Sequence, residues 1–139
     1  MKKSFISLML AVFAVFLIAS CGGGSGGSNN ESTINLTGNW KGVWQSTADT
    51  KYKGTIQANL IQDNLTIKGN AIIANSPCMK NGSLSGTIQN NNNISFGVFS
   101  GGNTIVFTAS YTSTIISGTY LITAGNCAGD VGTFSLEKQ

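Results

Sequence analysis

From Leu36 onward the chain alternates apolar and polar residues in short segments, and no helical period survives in any long window. Ile56, Ala58 and Leu60 share one side while Thr55, Gln57 and Asn59 share the other. Leu65, Ile67, Ala71 and Ile73 oppose Thr66, Lys68 and Asn70, and Leu84 and Ile88 oppose Ser85 and Thr87. Ile94, Phe96 and Val98 repeat the scheme, as do Ile116, Tyr120 and Ile122. A side-chain period of two belongs to extended strands, and one wet face per strand belongs to antiparallel sheets. The pattern predicts an all-β domain of eight strands, near 38–46, 53–62, 65–74, 83–89, 94–99, 104–111, 115–123 and 131–137.

Connection lengths carry a topological argument. Asn, Gly and Asp break the strands at Gln62-Asp63-Asn64, Asn90 to Asn93, Ser100 to Asn103 and Thr112 to Thr114. Eight antiparallel strands with short connections predict a closed up-and-down barrel, with a two-sheet β-sandwich as the alternative. In a meander the odd connections emerge at one end. These are 47–52, 75–82, 100–103 and 124–130, whereas 63–64, 90–93 and 112–114 make tight turns at the other end.

The N-terminal segment has a different grammar. Lys2 and Lys3 precede an unbroken apolar run from Leu8 to Ala19, which closes on Ile18-Ala19-Ser20-Cys21. The run is shorter than the roughly 20 residues of a spanning helix. It resembles the signal and lipobox of bacterial lipoproteins, which implies cleavage between Ser20 and Cys21 and a lipid on the Cys21 thiol. In that family's sorting pattern an Asp after the cysteine tends to retain the protein in the inner membrane. Gly22 stands there, so the resemblance implies a bacterial envelope lipoprotein of the outer membrane. Residues 1–20 are read as signal peptide, 21–35 as lipidated cysteine and tether, and 36–139 as the barrel domain. The Gly/Ser/Asn-rich stretch 22–33 is a flexible tether of roughly 20 Å root-mean-square span.

Lipidation would consume Cys21 and leave Cys78 and Cys127 as an even pair in an exported chain, for which a disulfide is the default. Both lie in odd connections, so the meander brings them to one rim. A redox or metal role would want a CxxC spacing or further soft ligands.

Composition narrows the chemistry. His and Arg are absent, and fifteen Asn and fourteen Thr supply neutral polarity. Imidazole bases, Ser-His and Cys-His pairs, His-rich metal sites and guanidinium forks are therefore excluded, and neither catalytic residues, a metal nor a cofactor is expected. Beyond the signal, six Lys face Glu31, Asp49, Asp63, Asp130 and Glu137, too slight an excess for nucleic-acid binding. Asp49 and Asp130 reach the odd rim and could form a carboxylate pair, although turn and cap roles are commoner for Asp.

Glycines recur as Lys53-Gly54-Thr55, Ser85-Gly86-Thr87, Ser117-Gly118-Thr119 and Gly132-Thr133, with Gly42 and Gly69 in comparable inward slots. Two readings stay open. Glycine permits the strong coiling of a small barrel, or its missing side chains leave a cavity.

The first strand opens Leu36-Thr37-Gly38-Asn39-Trp40. This Gly-x-Trp, at the start of an eight-strand pattern, resembles the opening motif of the lipocalin and wider calycin superfamily. The resemblance implies that Trp40 packs across the closed end and that the odd connections frame an open calyx. The tether would enter at the closed end, so the open rim would face away from the membrane.

Two functions compete for this framework. One is binding of a small apolar molecule inside the barrel, with Trp44, Ile56, Ile67, Phe96 and Tyr120 as candidate lining residues. The other is a protein-binding module acting through loops 75–82 and 124–130, resembling the small periplasmic barrels that inhibit lysozymes or proteases. A filled interior with no partner would leave a purely structural envelope protein.

Overall fold

The computed structural model describes residues 34–139, and the expected signal peptide, Cys21 and most of the expected tether lie outside the described residues. Eight strands run as β1 (Gly38–Ser46), β2 (Lys53–Asp63), β3 (Thr66–Ile73), β4 (Asn81–Gln89), β5 (Asn93–Ser100), β6 (Asn103–Tyr111), β7 (Ile115–Ala124) and β8 (Val131–Lys138). They close into one antiparallel barrel in sequence order, β1 pairing with both β2 and β8. The barrel, rather than the sandwich, is therefore the architecture.

The alternation builds it directly. Inward residues such as Ile56, Ala58 and Leu60 are buried while their neighbours on β2 face water. Leu65 departs from the expected face. It is 63% exposed, because it shares the two-residue β2–β3 turn with Asn64, and β3 starts only at Thr66. Asn64, Asn91 and Asn92 adopt left-handed backbone in the tight turns, a conformation asparagine tolerates.

Glycines occupy the seams between strands. A Cβ on Gly42 would run into the backbone of Ser135 on β8, and one on Gly69 into that of Asn59 on β2. Gly86 lies likewise against Ser95 and Phe96, and Gly118 against Thr108 and Ala109. The space these residues leave is filled by the neighbouring strand, which favours the coiling reading of the repeated glycines over the cavity reading.

One end is sealed. Leu36, Trp40, Leu60, Ile67, Ile94, Ile116 and Leu136 are fully buried there. The Trp40 indole N–H donates to the Leu36 carbonyl at 2.9 Å, and the Leu36 N–H donates to Gln62 Oε1 at 2.7 Å, which ties the incoming chain across the barrel base. Lys138 donates to the Asn35 carbonyl at 2.8 Å and holds its ammonium 5.6 Å from the centroid of the Trp40 ring. The middle is packed by aromatic rings. Phe96 stacks on Phe107 at 4.8 Å, and Phe134 meets Phe107 edge-on at 4.9 Å. The void left among them is about 10 Å³, at the lower limit for one water.

Candidate functional site

Above that aromatic layer the barrel opens. The odd connections 47–52, 74–80 and 125–130 surround a cavity of about 480 Å³. Ile56, Ile73, Ile105, Phe107 and Ile122 form its apolar wall and floor, Trp44 and Tyr120 its aromatic side, and Tyr52, Pro77 and Ala128 its mouth. The volume lies within the range typical of small-molecule sites, about 300–1,000 Å³.

Each rim element is held by specific bonds. The Trp44 indole N–H donates to the Ala74 carbonyl at 3.1 Å, joining β1 to the loop that leaves β3. Within that loop Ser76 is buried and its Oγ accepts the N–H groups of Cys78 and Met79, both at 3.2 Å. The Cys78 and Cys127 sulfurs are joined across the rim, with Cα atoms 5.7 Å apart. This bridge staples 74–80 to 125–130, and both cysteines line the cavity.

The polar corner of the cavity is Asp130. Its two carboxylate oxygens accept from different hydroxyls, Ser46 Oγ at 2.6 Å and Tyr120 Oη at 2.9 Å. Ser46 in turn accepts the N–H groups of Ala48 and Asp49 at 3.2 Å, which fixes the first rim loop to the last. Asp49 does other work: its carboxylate accepts the Lys51 N–H at 3.0 Å and shapes its own turn. The two acids thus serve separate local structures, the turn role for Asp49 and a hydroxyl-bonded cavity corner for Asp130.

Burial is the main influence on the Tyr120 phenol, and the hydrogen bond to Asp130 and that carboxylate's charge act the same way. Together they hold it well above its ordinary value of 10.0, against a smaller opposing effect of Ser46. The folded chain therefore keeps a proton that the unfolded chain releases. The stability linked to it is complete below pH 10.0 and is lost as pH rises toward the folded value. The wild type should lose up to about 1 kcal/mol per pH unit through this group, after allowance for water at the open mouth. Tyr120→Phe should lack that component. Urea midpoints of both proteins between about pH 9 and 11 check it, and parallel slopes would contradict it.

Of the five lining candidates, Trp44, Ile56 and Tyr120 face this cavity. Phe96 and Ile67 do not. Phe96 packs in the aromatic layer beneath the floor, and Ile67 is sealed at the closed end, because β3 and β5 present those positions at deeper levels of the barrel. Asp130, Ser76 and Pro77 are lining residues that strand alternation does not reveal, since they sit in or beside irregular connections. Among the inward glycines singled out by their repetition, Gly42, Gly54, Gly69, Gly86, Gly118 and Gly132, none lines the cavity.

No protein-family model, curated protein or solved structure matches the chain.

Proposed function

We propose that this chain is a non-catalytic lipoprotein of the bacterial envelope, anchored through a lipid on Cys21, that binds a small and largely apolar molecule in the rim cavity. The observation that carries the binding reading is the cavity itself: about 480 Å³, walled by aliphatic and aromatic side chains and open at one end of an otherwise filled barrel. The lipid anchor rests on the lipobox at Ile18-Ala19-Ser20-Cys21, and the outer membrane on Gly22 after it. Intact mass of the mature chain tests the anchor: an unmodified Cys21 would sink it.

Binding is tested by native mass spectrometry of the domain purified from its host, together with calorimetric titration of octyl compounds. A co-purifying small molecule and saturable binding are expected. Ile105→Phe with Ile122→Phe places two rings in the cavity and should weaken binding by about tenfold or more, with the barrel's circular dichroism retained. If no cargo appears and no octyl compound binds, the reading fails. A co-purifying protein in place of a small molecule would move the function to the rim loops.

A further inference from the structure

The apolar wall explains why a hydrocarbon would enter the cavity, but not why a carboxylate sits in it. Among the described residues that line the cavity, Asp130 alone carries a charge. Its hydrogen-bond partners are two neutral hydroxyls, Ser46 at 2.6 Å and Tyr120 at 2.9 Å, so they orient the carboxylate without neutralising it. A carboxylate offers about four acceptor sites, and two are used here. The Ser46 Oγ is itself committed to the Ala48 and Asp49 N–H groups. Tyr120 is only 5% exposed and locked in place, its ring edge-on to Trp44 at 6.2 Å and 78°. The negative corner is therefore rigid, bordered by aromatic rings, and continuous with a greasy wall.

This combination selects a ligand by charge. A wholly apolar guest would strip water from the carboxylate with nothing in return, and an anion would meet repulsion in a site of reduced dielectric. A protonated amine instead donates charge-assisted hydrogen bonds to the free acceptor sites. The neighbouring Trp44 and Tyr120 rings favour a cation as well. We infer that the cavity binds a cationic amphiphile, an apolar body bearing a protonated amine, with the ammonium on Asp130 and the hydrocarbon against Ile56, Ile105, Phe107 and Ile122. This inference rests on the binding reading above and adds the chemical class of the guest.

The test is a matched series on the wild-type protein at neutral pH: n-octylamine, n-octanol and n-octanoate, which share one chain and differ in the head group. Octylamine should bind about tenfold or more tightly than octanol, with octanoate weakest. In Asp130→Asn, which keeps the size and one acceptor oxygen, the octylamine affinity should fall to within about threefold of octanol. Should that variant fail to fold, the wild-type series decides alone. Binding of octanol with no preference for the amine overturns this inference and leaves the apolar-binding reading intact. An amine preference that survives Asp130→Asn overturns it too. Failure of all three probes overturns this inference and, where no small molecule co-purifies either, the binding reading with it.

Discussion

Replacing Cys78 and Cys127 together by serine is expected to lower the melting temperature by about 15–20 °C while leaving a β-barrel spectrum below the new transition. The bridge closes a sequence separation of 49 residues, for which the chain-entropy treatment gives about 4 kcal/mol. A domain of this size shifts by at least about 4 °C per kcal/mol. The fold itself should persist, since all eight seams are made by strand backbones and none passes through the sulfurs. The cavity should suffer more than the barrel, because the bridge joins 74–80 to 125–130 and both cysteines line the space between them. Loss of octyl-compound binding alongside the lower melting temperature is the expected pair of results. A melting temperature within a few degrees of wild type would show that the bridge contributes little.

Gly69→Ala is expected to destabilise the domain by about 3 kcal/mol. Strand propensity alone argues the opposite, a gain of roughly 0.5–1 kcal/mol from removing a flexible residue. Contact decides the sign. The new methyl group would meet the Asn59 carbonyl, and Leu60 Cα at 3.4 Å, and a paired strand cannot retreat without breaking its ladder. Gly97→Ala is the matched control. There the obstacle is the tip of the Phe99 ring at 2.5 Å, a side chain 48% exposed that can turn into solvent, so a change within about 1 kcal/mol is expected. Urea denaturation of both variants checks the contrast, and equal effects would refute the steric account.

Much of the fold was legible because each strand carries its own instruction. Ile56, Ala58 and Leu60 alternate with polar neighbours, and the structure buries them on one face. The pairing of Cys78 with Cys127 was legible through topology, since a meander places both on one rim. Depth was not. Alternation says that Trp44, Ile56, Ile67 and Phe96 point inward, but height along the barrel axis depends on how the registers stagger around the sheet, which no single strand encodes. Ile67 therefore lies at the sealed base and Trp44 at the mouth. The repeated glycines drew attention to missing volume, yet that volume is occupied by adjoining backbone, and the empty space arises where loops arch over the rim. Asp130 was legible as a rim residue, but its partners were not: the sequence offers Asp49 as its neighbour, and the structure gives it two hydroxyls. Only folding brings Ser46 and Tyr120 to it from β1 and β7.

The order of the strands has a consequence for how the domain is assembled. Seven seams join strands that are neighbours in the sequence, and one, β1 with β8, joins the two ends. A chain that emerges N-terminus first can zip each strand onto its predecessor, since each short connection costs little loop-closure entropy. The curved sheet so formed cannot finish until Val131–Lys138 has appeared. Until then β1 presents an unpaired edge, with the polar N–H and C=O groups that invite pairing with a second chain. The last eight residues of the barrel thus act as a clasp. The interval between the emergence of β1 and the arrival of β8 is therefore the period in which that edge is open to a second copy of the chain.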